Sequence, residues 1–391
     1  MEAFVERYLL LCLRLGKLIP GLVDAYYGPE ELSARVDADE KPDPREQATE
    51  AHRLLDELDG SIDGDQRRRW LRAQLVGLET VARRLAGDDI PYVDEVERCY
   101  GVRPKLVPED EFACAHEALD AVLPGDGPVK QRFQAWEEAQ AVERETLLRL
   151  FDVLTEETRT RTRELVDLPA GESVVLELVD NEPWLAFNYY LGGLRSRVVF
   201  NTDLPWRSND LVHVVAHELY PGHHTEHALK EELLVRGRGQ FEETALMVGT
   251  PAATINEGIA ELAPGMIAGD EEEFAAGLLE PLGVPYDVEV ARVVRIEGET
   301  LRYVGDNAAL LLHEQGLPLD EVREYWRRWT LRPDDRVEKG IQFITDETWR
   351  AYAFTYTAGL RLARGFVDGD RARFRRLLTE QLVPADLVSA A

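Results

Sequence analysis

Apolar residues recur at helical spacing through most of the first 165 residues. Residues 66–86, QRRRWLRAQLVGLETVARRLA, place Trp70, Leu71, Leu75, Leu78, Val81, Ala82 and Leu85 on one face. After the breaker LPGDGP, residues 129–166 read as one long helix. Its apolar stripe is Trp136, Ala139, Val142, Leu147, Phe151 and Leu154. The first residues, MEAFVERYLLLCLRLGKLIPG, carry Glu2, Glu6 and Arg7 ahead of the apolar patch and Arg14 and Lys17 within it. That pattern predicts an amphipathic helix, because a signal peptide needs a basic start and an unbroken apolar run.

The period changes near DLPAGES. SVVLELVD alternates Val174, Leu176 and Leu178, which is the strand period. WLAFNYYLGGLRSRVVFNTD follows, with a hairpin expected at Gly192-Gly193. Beyond it the chain turns helical again to its end. The pattern predicts a mainly α scaffold with one small antiparallel β-sheet just before a histidine-rich segment. It divides into an N-terminal helical region, 1–165, and a region 166–391 holding the sheet and the site, the two packed as one unit.

Composition narrows the functions. A net charge of −29 argues against a nucleic-acid partner, since phosphate binding needs a basic surface. No stretch approaches the roughly 18 apolar residues of a membrane span. Cys12, Cys99 and Cys114 are scattered, with no CxxC pair, so neither a disulfide framework nor a thiolate zinc site is indicated. A cytoplasmic location is the expectation.

The segment AHELYPGHHTEH, residues 216–227, holds four of the eight histidines. Ser208, Asn209 or Asp210 can cap a helix that starts near Leu211. Leu211, Val212, Val214, Val215 and Leu219 make that helix apolar on nearly all sides, so it should be buried. His213, His217 and Glu218 then need partners inside it. The adjacent pair His217-Glu218 suits metal-assisted hydrolysis: one residue binds the ion, and its neighbour serves as general base beside the attacking water. A second ligand four residues on is denied by Pro221-Gly222. In a straight helix His223 would lie about 9 Å along the axis from His217, too far to share one ion. If the Pro-Gly pair breaks the helix as an insertion, His223 arrives where the i+4 ligand would have been. His224 is the rival to His223. His213 and His217, at i, i+4, form a rival pair. A plain surface turn is the bland alternative.

Some forty residues on, TINEGIAELAPG sets Glu257 and Glu261 at i, i+4 on one helix face. Like charges so placed repel unless a cation or a partner lies between them. Glu257 is the candidate third ligand, and Glu261 a residue that orients a histidine from behind. Gly258 beside Glu257 lets another backbone or a ligand approach.

These residues carry a resemblance. HELYPGHH with NEGIAELA is similar to the DUF885 family of gluzincin-like metallopeptidases, whose pattern is His-Glu-x-x-Pro-Gly-His-His followed by Glu-Gly-x-Ala-x-x-x-Glu. The resemblance extends over about residues 170–365 and includes NTDLP and the Tyr356-x-x-Gly359 element in AFTYTAG. It implies a helical gluzincin-like scaffold, His217, His223 and Glu257 as ligands of one Zn2+, other divalent ions being possible, and Glu218 as base. The chain departs from the pattern in GDNAALLLH, where Leu310 replaces a histidine and His313 follows three residues later, and at Ile259, where a tryptophan is usual.

Two functions follow. The first is a zinc-dependent hydrolase of peptides or other amides. It needs a further donor for the developing oxyanion; Tyr356 is the candidate, with His313 second. A strand near residues 195–201 is expected to line the cleft and pair with an extended substrate. The second is an inactive metal- or partner-binding scaffold of the same fold, against which the intact Glu218 argues.

Overall fold

The computed structural model describes residues 1–182 and 184–388. Helices dominate it. The amphipathic N-terminal segment is the helix Ala3–Leu18, which buries Phe4, Val5, Tyr8, Leu9, Leu11, Cys12 and Leu15. The 66–86 stripe is the helix Asp65–Leu85, with Trp70, Leu71, Leu75 and Leu78 buried. Their apolar cluster continues into Met247, Ala253, Ala308, Ile341, Tyr352 and Phe354, far along the chain. Among the described residues no helix is long and apolar enough to cross a membrane. The three cysteines are free.

The expected long helix over 129–166 is two helices, Val129–Ala139 and Arg144–Leu165. The backbone between them is taken by another part of the chain. Val142 N–H donates to the Trp206 carbonyl at 2.8 Å, and the Gln140 carbonyl accepts from Ser208 N–H at 2.9 Å. The same contact alters the start of the next helix, Ser208–Glu218, here called the histidine helix. Its cap is Arg207, with no side-chain capping bond from Ser208, Asn209 or Asp210. The Gln140 carbonyl satisfies the Ser208 N–H instead, one of the unpaired donors that every helix start presents.

Five strands are present among the described residues. They are β1 (Val23–Tyr26), β2 (Ser173–Val179), β3 (Ala186–Gly192), β4 (Arg195–Asn201) and β5 (Ala245–Met247). The expected antiparallel pair is the β3–β4 hairpin, with Asn188 opposite Val198. Its turn residues Gly192 and Gly193 take φ of 68° and 65°, the left-handed region where glycine carries no penalty. β2 adds to the other side of β4 in parallel, giving the order β2-β4-β3. Val198 and Phe200 of β4 are wholly buried. Phe200 stacks on Phe151 with ring centroids 3.9 Å apart, fastening the sheet to the Arg144–Leu165 helix. A second, two-stranded sheet pairs β1 with β5. The sequence reading missed it, since runs of four and three residues are too short for alternation to show.

Two further helices complete the frame: Pro251–Ile267, the glutamate helix, and Phe354–Val367, the tyrosine helix. They cross at two glycines. A Cβ on Gly258 would stand 2.5 Å from the Gly359 carbonyl oxygen, and one on Gly359 would stand 2.5 Å from that of Thr254. The backbone that Gly258 admits is therefore that of the tyrosine helix.

Candidate metal centre

The histidine helix ends at Glu218, and Leu219 leaves helical geometry with φ −116° and ψ −86°. The Tyr220-Pro221 peptide is cis. Gly222 then folds back on the helix it follows: its N–H donates to the Ala216 carbonyl at 2.9 Å. A Cβ there would lie 1.9 Å from the His217 carbonyl oxygen, so no other residue fits. A new helix, His223–Lys230, starts immediately.

The turn is bolted in place by a buried network. Glu172 accepts from the Tyr220 hydroxyl at 2.6 Å and from Arg159 Nε at 2.8 Å, and meets His224 Nε2 at 3.1 Å. The other ring nitrogen of His224 meets Ser196 Oγ at 2.8 Å. Burial pushes the Glu172 carboxyl up, but its bonds to His224, Tyr220 and Arg159 outweigh this and hold it at about 2. Both nitrogens of His224 are thus occupied, facing away from His217. As the alternative ligand it is corrected to a structural role.

His223 turns the other way. Its ring lies 4.8 Å from that of His217, nearly perpendicular to it. Glu257 Oε2 is 3.6 Å from His217 Nε2, and Oε1 is 3.9 Å from His223 Nε2. Tetrahedral zinc with bonds of about 2.0–2.1 Å separates its ligand atoms by about 3.3–3.4 Å. The two glutamate–histidine distances stand a few tenths of an ångström outside that spacing, and the three ligand atoms lie within 4.8 Å of one another. Glu257 Oε2 and His217 Nδ1 are buried with no hydrogen-bond partner. An unpaired buried carboxylate oxygen is costly unless a cation meets it. Its surroundings push Glu257 well above the ordinary carboxylate range, through burial first. Burial likewise pushes His217 well below its usual value and His223 down to about 4. Neutral imidazoles facing a carboxylate are the donor set that zinc takes.

The rival group His213, His217 and Glu261 also clusters. There, however, both Glu261 oxygens are taken by Arg302, at 2.5 and 2.7 Å. Arg302 overcomes the effect of burial and holds Glu261 well below the ordinary range. Glu261 Oε1 lies 3.9 Å behind His217 Nδ1 and Oε2 lies 3.6 Å from His213 Nε2. Glu261 thus stands on the far side of the His217 ring, beyond hydrogen-bond distance of its Nδ1.

A cleft of about 820 Å³ opens over His217, Glu218, His223 and Glu257. Glu218 is buried, and its carboxylate makes no hydrogen bond or ion pair among the described residues, while its backbone carbonyl accepts from Asn188 Nδ2 at 2.6 Å. Burial first, then Asp24 and Glu261, raise the Glu218 carboxyl to about 8. Tyr356 lines the cleft with its hydroxyl unpaired among the described residues. Tyr352, which the sequence reading missed, donates its hydroxyl to Glu257 Oε1 at 2.5 Å. His313 is not brought to the site. Its Nε2 is 2.6 Å from the Ile344 carbonyl and its ring packs on Tyr92, so its candidacy as an oxyanion donor is withdrawn. The cleft-lining strand is also corrected. It is the edge strand β3, through Ala186, Phe187, Asn188 and Tyr189, because β4 is the central strand with both edges paired.

No family model and no curated protein matches this chain. Among solved structures, one from Colwellia psychrerythraea, provisionally described as a lipoprotein, is similar with a TM-score of 0.55 and 16% identity. The similarity covers 92% of this chain and 68% of that one, and it defines a shared fold. The M32 carboxypeptidase from Deinococcus radiodurans R1 aligns at a TM-score of 0.41 and 12% identity, over 99% of this chain and 94% of that one.

Proposed function

We propose that this protein is a one-metal hydrolase acting on peptide or related amide bonds, of the kind the DUF885-like motifs imply. The observation that carries the reading is the buried, unpaired Glu257 Oε2 facing His217 Nε2 across 3.6 Å, with Oε1 of the same carboxylate 3.9 Å from His223 Nε2 and an unpaired Glu218 beside them. His217, His223 and Glu257 would hold a zinc ion, which supplies Lewis acidity toward the scissile carbonyl and makes water a better nucleophile at neutral pH. Tyr352 fixes the Glu257 carboxylate, and Glu261, anchored by Arg302, lies behind the His217 ring. Glu218 takes a proton from the attacking water and passes it to the leaving nitrogen as the C–N bond breaks. The Tyr356 hydroxyl donates to the carbonyl oxygen as negative charge gathers there. The free edge of β3 offers backbone groups to an extended substrate.

The test joins the metal content of the purified protein with a peptide-library cleavage screen. Expected are close to one zinc per chain and cleavage that Glu218→Gln lowers at least about a hundredfold while zinc is retained. Near-normal turnover in that variant would reject Glu218 as base. A protein that holds no metal and cleaves nothing would be an inert scaffold.

A further inference from the structure

Charges in the cleft are unevenly paired. Arg302, which lines a neighbouring cavity and not this cleft, is spent on Glu261. Lys339 is exposed on the wall formed by the Asp334–Thr345 helix. On the wall formed by the strands stands Asp24, with no hydrogen bond and no ion pair among the described residues. Its place is set by a local irregularity. In the β1–β5 ladder Val23 pairs with Met247 and Ala25 with Leu246, so Asp24 is the extra residue of a β-bulge. A bulge bends its strand and re-aims the side chain at that position, and bulges gather beside active sites. β1 also packs against β3, and Tyr27, directly after β1, meets Tyr190 of β3 edge-on at 5.1 Å. Asp24 therefore borders the strand edge proposed to hold substrate, and Asn188 of that strand grips the end of the histidine helix. After burial, Asp24 is the neighbouring charge that acts most strongly on Glu218.

Resting on the hydrolase reading above, we propose that Asp24 is a specificity residue that receives an ammonium group of the substrate. A carboxylate that faces the cleft without a partner, and that its confined surroundings raise to about 6, gains a charge-assisted hydrogen bond when such a group arrives. Two sources share that chemistry: a free amino terminus and a basic side chain close to the scissile bond. A substrate recognised through a terminal carboxylate would instead meet the unpaired Asp24.

The experiment measures binding by calorimetry to the Glu218→Gln protein, purified with its own metal, so that no peptide is consumed. Four probes are compared: a neutral hexapeptide with a free amino terminus, its N-acetylated form, and each of these with one lysine replacing an apolar residue. The same set is repeated with Asp24→Asn added. Preference for a free terminus by about tenfold, the worth of one hydrogen bond to a charged group, that collapses in Asp24→Asn supports the terminus as source. A similar preference for lysine in the acetylated pair, with the same collapse, supports the side chain. No preference, or one that Asp24→Asn leaves intact, overturns the proposal. The hydrolase reading fails separately, in the cleavage screen, and Asp24→Asn can be tested on binding whether or not turnover is found. Thermal unfolding of both proteins checks that the exposed Asp24 can be changed without loss of fold.

Discussion

Gly258→Ala tests how the site depends on the crossing of two helices. The added Cβ would stand 2.5 Å from the Gly359 carbonyl oxygen and 2.8 Å from its carbonyl carbon. A tolerable carbon–oxygen contact is about 3.3 Å, so the tyrosine helix must retreat by about 0.8 Å. Both obstacles are backbone and cannot rotate aside. Overpacking of this kind costs about 1–3 kcal/mol, and here the upper end applies. Alanine returns about 1 kcal/mol of helix propensity, leaving a net loss of about 2 kcal/mol. For a chain of this length that is a fall in melting temperature of about 2–4 °C. Thermal unfolding followed by circular dichroism measures it. Gly298→Ala is the control, because nothing lies within 4 Å of its Cβ position and its helix runs Val288–His313. That variant should gain up to about 1 kcal/mol. The retreat also draws Tyr352 from Glu257, so zinc affinity in Gly258→Ala should fall about tenfold or more, as when an outer partner of a metal ligand is lost. If Gly258→Ala melts at or above the unmodified protein, the close crossing is not what holds the two helices in register.

Three further outcomes are expected. His223→Ala should release the metal whereas His213→Ala should retain it, as read by metal content after dialysis; the reverse order would move the site to the Glu261 side. Glu257→Gln should lose zinc first and activity with it, unlike Glu218→Gln, and exchange of the two behaviours would exchange the two roles. Asp306 is buried away from the metal group, bonded by the Thr357 hydroxyl at 2.5 Å, and burial raises its carboxyl to about 7. Its proton is bound more tightly in the folded chain than in the unfolded one, so this stability is complete below about pH 4 and is lost as pH rises to about 7. Asp306→Asn removes that slope. Urea unfolding of the two proteins at pH 5 and pH 8 should show the variant gaining on the unmodified protein at the higher pH, and an unchanged difference would refute the shift.

The meeting of His217, His223 and Glu257 is legible in the chain because Pro221-Gly222 cannot continue a helix and two glutamates four apart ask for a cation. The helical frame and the β3–β4 hairpin are legible for the same kind of reason: a long period, or a Gly-Gly turn, leaves a mark. Other parts leave none. The stripe from Trp136 to Leu154 keeps helical spacing across residues 140–143, where the backbone is pulled away by Trp206 and Ser208. Only the tertiary contact breaks it. Tyr352 precedes the tyrosine helix, four residues before Tyr356, in a turn that no periodicity marks. Asn188 reads as one more residue of an alternating strand, and the bulge at Asp24 is visible only once β5 supplies its partner.

The bond between Tyr352 and Glu257 joins residues 95 positions apart. A ribosome adds about 5–20 residues each second, so Glu257 waits roughly 5–20 s for its partner to be made. During that interval the histidines and Glu257 already exist in the nascent chain while Tyr352 and Tyr356 do not. The Tyr100 ring, made far earlier, waits longer still to pack against Tyr352, 6.0 Å away centroid to centroid. The finished arrangement is thus an event of late synthesis, and a chain halted before Tyr352 would carry the three candidate ligands without the hydroxyl that bonds one of them.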